Sequence, residues 1–294
     1  MADRSTMSAT SLGMLWMLLS GLCFVCMTVV VRYVGTRIPA VEAAFIRYVF
    51  GILFLLPVVL QILSGHAQVT RWKLLTVRGV IHAVGVTLWF FAMARIPIAE
   101  VTALSYLSPV LMTIGAALFF GERLYTRRIL AIGFGLLGVF VILRPGFSTI
   151  SIGQIAQVCT APLFAASMLM TKRLADTEKT AVIVASLTVI CALALLPGAI
   201  VYWVAPTTTE YALLALTALL ATAGHFTLTN ALKLAPVAVL QPVGFLQLLW
   251  ATLFGITLFD ESLDGFVLLG GLILILSTTY IAHRESLSRK KDNS

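Results

Sequence analysis

Apolar residues in this chain fall into ten long runs, which short polar segments separate. A helix needs about 20 mostly apolar residues to cross a hydrocarbon core of about 30 Å, and most of the runs reach that length. The runs are Leu12 to Val31, Ala40 to Leu63, Leu74 to Ala94, Ala99 to Phe120, Ile129 to Leu143, Ile152 to Thr171, Thr180 to Val204, Tyr211 to Asn230, Pro236 to Phe259 and Leu263 to His283. The pattern predicts an all-α integral membrane protein with ten transmembrane helices and no soluble domain.

The composition of the 294 residues supports this interpretation. Hydrophobic residues make up 60% of the chain and charged residues only 11%, whereas about a quarter of the residues of a soluble domain are charged. The net charge of +8 comes mainly from Lys and Arg in the short segments, where they set topology and meet anionic lipid. No basic stripe with interleaved aromatic residues is present, so we expect membrane lipid, and no nucleic acid, as a partner.

The basic residues also predict the orientation. Of the 20 Lys and Arg residues, 15 lie in segments on the side that holds both termini and four lie on the other side. Short cytoplasmic loops carry the excess of positive charge in membrane proteins. We therefore expect both termini to be cytoplasmic, with the protein in the cytoplasmic (inner) membrane.

The four cysteines are Cys23, Cys26, Cys159 and Cys191, and all lie inside apolar runs. The first two form a C-x-x-C, but redox and zinc versions of that motif need accessible thiolates and, for zinc, further ligands. We interpret the cysteines as packing residues and expect neither a metal nor another cofactor.

One stretch of the chain is duplicated. The segment from Arg95 to Leu124 has a degenerate copy from Leu234 to Leu263, and the two copies align position by position at an offset of 139. Pro97 falls on Pro236, Thr113 on Thr252 and Glu122 on Glu261, with apolar residues at most other pairs. The two copies therefore descend from one unit.

The duplication extends beyond this stretch. Residues 53–57, LFLLP, match residues 193–197, LALLP, at an offset of 140. The repeat unit is thus five helices, and a unit with an odd number of crossings starts its second copy from the opposite side of the membrane. We predict two inverted five-helix repeats, residues 1–147 and 148–294, which suits transport by alternating access.

Motifs at the helix junctions carry a family resemblance. The first half contains Ala92, Pro97, F-F-G-E-R-L at the end of the fourth run, and Gly133, Gly135 and Gly138 in the fifth. The second half repeats them as Ala231, Pro236, Gln241-Pro242 and F-D-E-S-L, in which Asp260 replaces the Gly of the G-E pair. This pattern resembles the EamA branch of the drug/metabolite transporter superfamily over nearly the whole chain.

The resemblance implies a ten-helix secondary carrier that moves a small-molecule substrate and works as a monomer. Carriers of this superfamily take amino acids, nucleosides, vitamins and other metabolites. Overall similarity favours export of amino acids, including aromatic or other hydrophobic ones, and import of a vitamin or nucleoside is the alternative. An enzyme or sensor that reuses the fold is less favoured, because the chain has no nucleotide-binding G-x-x-x-x-G-K-S/T, no H-E-x-x-H and no G-x-S-x-G.

Two histidines within the runs are the first candidates for a binding site. At an offset of 139, His225 pairs with Val86, which follows His82 by four positions and therefore shares its helix face. We predict that His82 and His225 line one central cavity as ligand donors or acceptors, or as proton carriers. The alternative is a hydrogen bond between helices without a ligand.

Polar residues of the fourth and ninth runs form matched pairs. Thr102 pairs with Gln241 and Ser108 with Gln247 at the same offset, and Tyr106 lies between the two positions. The glutamine amides offer donors and acceptors that suit a zwitterion. Interhelical hydrogen bonding is the alternative role for these residues.

Arg47 is the one cation well inside a run, and its counterpart in the second half is Ser186 or Leu187. We weigh a structural pair with Glu42 or with helix-end carbonyls against direct contact with a substrate carboxylate. Because none of the twelve acidic residues lies in the middle of a run, a proton antiporter built on a carboxylate is disfavoured. Facilitated diffusion and proton linkage through a histidine stay open.

Aromatic side chains supply the remaining candidates. Trp16, Trp89 and Tyr106 lie within the runs, where they can wall an apolar cavity and stack on an aromatic ligand. Contact with lipid or packing between helices is the alternative. Five prolines within the runs each remove a helix hydrogen bond, so we expect kinks or gating points at Pro57, Pro109, Pro162, Pro197 and Pro242.

Overall fold

The computed structural model describes residues 9–66, 69–120, 126–175, 177–235, 239–240, 243 and 246–292, and this part of the chain is almost entirely helical. Its helices are α1 (Ala9–Val34), α2 (Ala40–Phe54), α3 (Leu56–Leu63), α4 (Trp72–Met93), α5 (Ile98–Ser105), α6 (Leu107–Phe120), α7 (Thr126–Leu143), α8 (Ile152–Ala175), α9 (Thr180–Val201), α10 (Thr208–Leu234), α11 (Leu246–Phe259) and α12 (Gly265–Asp292). The prediction of an all-α membrane protein is thereby confirmed.

Eight spans in the described part are long and apolar enough to cross a membrane, with α5 and α6 together forming one of them. The bent pair α2 and α3 makes a ninth if it is taken as one span. Helix α11 is a shorter apolar helix, and most of the residues just before it lie outside the described ranges. The tenth predicted span therefore stays a prediction.

Two of the predicted spans are broken near a proline. Helices α2 and α3 meet at Leu55 with a bend of 79°, and Pro57 stands in the first turn of α3. Helix α5 ends before Tyr106, and Pro109 follows in the first turn of α6. Proline has no N–H to donate and its ring clashes with the carbonyl four residues earlier, so the preceding helix ends there. The run from Ala40 to Leu63 is thus not one straight helix.

The helices pack in four main pairs: α1 on α10, α4 on α8, α7 on α12 and α2 on α9. The first two pairs use the same device. A methyl group on Gly224 would lie 3.2 Å from the Phe24 ring, and one on Gly85 would lie 2.8 Å from the Phe164 ring. Small residues allow this close approach between membrane helices. Phe24 and Phe164 are related by the offset of 140, and Gly85 and Gly224 by the offset of 139.

A second pair of contacts recurs with the same spacing. A methyl group on Gly13 would meet the Ala235 Cβ at 3.0 Å, and one on Gly153 would meet the Arg95 Cβ at 3.2 Å. The offset of 140 relates Gly13 to Gly153 and also Arg95 to Ala235. The packing of α1 against the end of α10 is thus repeated by α8 against the end of α4.

Large apolar side chains cover the outside of the bundle. Leu130 and Phe140 on α7 and Leu193 and Ile200 on α9 each expose more than half of their surface. The fully buried core includes Met27 and other large apolar residues in the middle of the bundle. An apolar exterior of this extent fits hydrocarbon as the surrounding medium.

Candidate functional site

Three arginines of the described residues are buried: Arg128 lies in the first turn of α7, whereas Arg47 and Arg78 lie further inside their helices. Arg47 on α2 exposes 8% of its surface and Arg78 on α4 exposes 7%. The Nε and Nη1 atoms of Arg47 have no hydrogen-bond partner, and its guanidinium lies 4.4 Å from the centre of the Tyr48 ring. Arg78 donates from Nη1 to the Ile183 carbonyl oxygen at 3.2 Å, while its Nε has no partner. A buried charge is strongly destabilising unless it is paired.

Four other side chains, on α2, α4, α9 and α10, are near enough to interact electrostatically with both Arg47 and Arg78. Cys191 on α9 donates from Sγ to the Gly79 carbonyl oxygen at 3.3 Å, which fixes it between α4 and α9. We name this group the central polar cluster; its members are Arg47, Tyr48, Arg78, His82, Cys191 and His225. Helices α2, α4, α9 and α10 each contribute to the cluster.

The two histidines lie against equivalent aromatic rings. The His82 ring is 5.1 Å from the Phe164 ring, and its Nδ1 is 3.1 Å from the Ser167 Oγ. The His225 ring is 5.2 Å from the Phe24 ring in an edge-to-face arrangement. Each histidine therefore sits beside an aromatic residue on the helix that packs against its own.

The His225 side chain is exposed and lies away from the most lipid-exposed strip of α10. That strip runs through Leu216, Leu219 and Phe226, and at about 100° per residue His225 lies about 130° around the helix from its middle. The exposed surface of His225 therefore belongs to a different face of α10.

The predicted aromatic residues are divided between two regions. Trp89 packs edge-on against Phe164 at 5.7 Å, so it adjoins the cluster through the ring that also contacts His82, and its indole N–H is buried without a partner. Trp16 lies elsewhere: it contacts Phe226 at 6.4 Å and packs among residues near the start of α1 and the end of α10. The structure therefore brings only Trp89 to the histidines.

The polar candidates of the fourth and ninth runs lie on α5, α6 and α11. Thr102 donates to the Ile98 carbonyl oxygen of its own helix at 2.9 Å, Tyr106 lies beside the Leu248 backbone, and the remaining described candidates, Ser108 and Gln247, are half-buried. Gln241 lies outside the described residues. The hydroxyl of Thr102 is therefore already used by its own helix, and Tyr106 lies against α11.

The expected pair between Arg47 and Glu42 is wrong for the part of the chain described here. Glu42 accepts a hydrogen bond at 2.9 Å from the Val204 N–H, which lies beyond the end of α9. Residues five apart point to different sides of a helix, whereas partners stand three or four apart.

The charge pattern counts Arg78 with the loop cations, and the structure instead places it on α4 and buries it. Its position inside the third apolar run is the signal in the sequence that could have identified it.

Polar contacts hold both ends of the bundle closed. We name the end at which α1 begins the proximal end and the opposite end the distal end. At the proximal end, Glu178 accepts hydrogen bonds from the Thr70 N–H at 2.7 Å, the Thr70 hydroxyl at 2.6 Å and the Arg71 N–H at 3.0 Å. A surface concavity beside these residues, around Arg173, opens outward and is separate from the central polar cluster.

The distal end has more of these contacts. Arg37 pairs with Glu210, and Glu261 accepts from the Ile98 N–H at 2.9 Å while lying 3.4 Å from the Arg32 guanidinium. Three further contacts are Arg144 with Asp264 at 2.6 Å, Gln154 with Glu100 at 2.5 Å and Val204 with Glu42 at 2.9 Å. The central polar cluster is thus enclosed from both ends.

Comparisons with known proteins give a consistent family. A family model described as the EamA-like transporter family matches residues 11–144. A riboflavin transporter of Rhizobium johnstonii is 32% identical over 292 residues, which cover 97% of this chain and 95% of that protein. An S-adenosylmethionine uptake transporter of Rickettsia bellii is 26% identical, with 96% of this chain and 97% of that protein covered.

Two further comparisons concern an exporter and a solved structure. A pseudopaline exporter of Pseudomonas aeruginosa is 25% identical over 90% of this chain and 94% of its own length. A solved crystal structure matches 93% of this chain and 96% of its own chain with a TM-score of 0.61 at 19% identity. That last likeness concerns the fold alone.

Proposed function

Because the chain belongs to the EamA-like transporter family, we propose that it carries a small metabolite across the cytoplasmic membrane by alternating access, as a secondary transporter with no enzymatic activity. The central polar cluster is the observation that carries this proposal. It places the buried charged side chains of Arg47 and Arg78 inside an apolar bundle, together with two histidines. Ionisable groups within membrane spans mark pathways for substrates or ions.

We further propose that residues 1–147 and 148–294 are two inverted repeats of five helices each. The repeated glycine contacts support this arrangement, because Phe24 on Gly224 and Phe164 on Gly85 exchange the roles of the two halves. A pseudo-twofold axis in the membrane plane relates such repeats. The cluster then lies between the halves, where exchange of their conformations opens it to one side and then to the other.

The closed ends fit the same cycle. Arg71 and Glu210 are related by an offset of 139, and Arg37 and Glu178 by an offset of 141. The Glu178 contacts and the Arg37–Glu210 pair therefore stand at related places in the two halves. In the proposed mechanism one set opens while the other stays closed. Both sets of contacts are formed among the described residues.

For the substrate we propose a metabolite that combines an aromatic ring with polar groups. Phe24, Phe164 and Trp89 supply aromatic surface beside the polar side chains of the cluster. Uptake of a vitamin is the first candidate, supported by the relative named a riboflavin transporter. Export of an aromatic amino acid is the second, because its carboxylate suits the buried arginines.

Counterflow in proteoliposomes tests the proposal. Purified protein is reconstituted into liposomes preloaded with riboflavin, an aromatic amino acid or a nucleoside, and uptake of the radiolabelled compound is compared with that of protein-free liposomes. We expect one class to stimulate exchange well above the protein-free rate. Exchange that never exceeds that rate for any class would contradict the proposal, and an imposed pH gradient then tells proton-linked from facilitated transport.

A further inference from the structure

The charges of Arg47 and Arg78 are not balanced within the part of the chain that the structure describes. Arginine does not lose its proton in proteins, so both side chains carry a full positive charge in a bundle from which water is largely excluded. The Nε and Nη1 atoms of Arg47 and the Nε atom of Arg78 are buried without a hydrogen-bond acceptor. Such an arrangement lowers the stability of the fold.

The carboxylates that have partners all lie at the ends of the bundle. Glu178 is held by the loop before α4. Those of the distal end are Glu42, Glu100, Glu210, Glu261 and Asp264, each bound there by a side chain or a backbone N–H. Across the described ranges, none of the ion pairs involves Arg47 or Arg78. No carboxylate of the described residues thus neutralises these two arginines, which leaves their charges available to an anionic ligand.

The positions of the two arginines suit a single anion. Arg47 and Arg78 stand on α2 and α4, which are in contact, and Tyr48 and Cys191 lie near both charges. A guanidinium offers a planar fork of donors that matches carboxylate and phosphate oxygens. One anionic group between the two forks would supply acceptors for the nitrogen atoms that have none.

We propose that Arg47 and Arg78 together bind the carboxylate or phosphate group of the transported metabolite, while Phe24 and Phe164 contact its ring. This rests on the proposed function, and it adds that the substrate is an organic anion or a zwitterion. His82 and His225 lie beside both arginines and against those rings. The polar and aromatic parts of the ligand are thereby assigned to adjacent surfaces.

The test compares ligands that differ only in charge. Thermal unfolding of the purified protein in neutral detergent is followed by far-ultraviolet circular dichroism with 3-phenylpropionate or 3-phenylpropionamide, and with riboflavin 5′-phosphate or riboflavin. A ligand that binds only the folded state raises Tm as its concentration exceeds Kd. We expect the anionic member of each pair to raise Tm by clearly more than the neutral member, which keeps only the contacts with the aromatic rings.

Variants connect that shift to the two arginines. Arg47→Gln and Arg78→Gln should bind the anionic probes at least about tenfold more weakly, because each removes charge-assisted hydrogen bonds. Arg47→Met should unfold at a higher temperature than the parent without ligand, since it removes an unpaired buried charge. A purely structural arginine would show the opposite. Arg173→Gln is the matched control, because it removes one exposed positive charge of α8 and should keep the shift.

Three results would overturn the proposal: equal shifts from anionic and neutral probes, an unchanged anion shift in Arg47→Gln and Arg78→Gln, or the same shift from sodium chloride or inorganic phosphate alone. The proposed function fails in a different way. Anion binding without counterflow of any compound would refute transport and leave the anion site standing. Counterflow of neutral compounds alone would leave transport standing and refute the anion site.

Discussion

Arginines at the distal end of the bundle and those in its middle differ in exposure and in pairing. At the distal end Arg37, Arg32 and Arg144 each lie beside a carboxylate and are partly exposed. In the middle Arg47 and Arg78 are more than nine-tenths buried, and no ion pair of the described residues includes them. Stability alone would favour the reverse, because exposed ion pairs contribute only about 0–1 kcal/mol and buried charges need partners.

The difference fits the two tasks of a carrier. Weak polar contacts at an end can break and re-form as the pathway opens, since each contributes little to stability. Unpaired charges in the middle leave donors free for a ligand that supplies the missing acceptors. Natural proteins accept such a loss of stability where function requires it.

The largest expected effect is on the side of the membrane from which each end of the bundle can be labelled. Each thiol should react from one side and not from the other. In a variant whose four cysteines are replaced by serine, Ser64→Cys and Val204→Cys place single thiols at exposed positions related by the offset of 140. If the repeats are inverted, these equivalent positions lie on opposite sides of the membrane. Intact cells treated with a membrane-impermeant maleimide should label only Val204→Cys, and Ser64→Cys should react after permeabilisation.

Each outcome of the labelling experiment has a definite meaning. Reaction of both thiols from the same side would refute the inverted repeat. Reaction of Ser64→Cys alone in intact cells would keep the repeat but reverse the orientation inferred from the basic residues. The cysteine-free parent is the control for background labelling.

The second prediction gives a buried arginine in the middle of the bundle a carboxylate partner, as the arginines of the distal end have. Arg47→Glu places a carboxylate near Arg78, and the resulting pair would neutralise both charges and repel an anionic substrate. We expect transport of an anionic substrate to fall by about a hundredfold, the loss of two charge-assisted hydrogen bonds. Proteoliposome uptake measures this effect, and Tm should not fall below that of the parent.

Arg173→Gln again serves as the control for this variant, because it changes the net charge at the surface and should keep most of the transport rate. Uptake by Arg47→Glu at the parent rate would contradict the assignment of Arg47 to the substrate. A large drop in Tm would instead show that Arg47 has a structural role.

The sequence allows some of this arrangement to be predicted. The apolar runs predict the helices well, and the kinks expected at Pro57 and Pro109 fall beside the observed breaks at Leu55 and Tyr106. Helices α8 and α9 instead continue through Pro162 and Pro197 without a break, and Pro242 lies outside the described residues. Arg47 is recognisable because a cation well inside an apolar run is unusual. These features depend on local sequence, which the chain shows directly.

Features that depend on packing between helices could not be predicted. The sequence does not show that α2 and α4 bring Arg47 and Arg78 to the same place, so the charge pattern assigns Arg78 to a loop. Nor does it show that Thr102 donates to its own helix or that Glu42 bonds beyond the end of α9. Each of these contacts depends on which of several possible partners a polar side chain takes in the folded bundle. The hydropathy of the sequence carries no information about which partner that is.

Glu178 at the proximal end and Glu261 at the distal end respond to acid in opposite ways. Burial raises the pKa of Glu178, but hydrogen bonds from the Thr70 hydroxyl, the Thr70 N–H and the Arg71 N–H, together with the Arg71 charge, outweigh it and hold the pKa below its usual value. Because the folded pKa is the lower one, ionised Glu178 stabilises the fold above its unfolded pKa. That contribution is lost as the pH falls through the folded pKa.

Glu261 at the distal end behaves in the opposite sense. Burial raises its pKa, and the opposing effects of the Ile98 N–H and the Arg32 charge do not cancel the increase. Because the folded pKa is the higher one, ionisation of Glu261 destabilises the fold at neutral pH, and this penalty is relieved as the pH falls through the folded pKa towards the unfolded one. Moderate acid should therefore protonate Glu261 while Glu178 is still ionised.

The smallest expected effect follows from this contrast in sign. Glu178→Gln should lower the Tm at neutral pH by about 2–4 °C, since it weakens three hydrogen bonds to a charged group. Glu261→Gln should leave the Tm unchanged or raise it slightly, because the amide is neutral at every pH. Unfolding curves recorded from neutral to acidic pH should show the Glu178→Gln deficit vanishing once Glu178 is protonated in the parent. Equal destabilisation by both variants at all pH values would mean that the fold stabilises the ionised forms of Glu178 and Glu261 alike. That result would contradict the opposite directions of their pKa shifts.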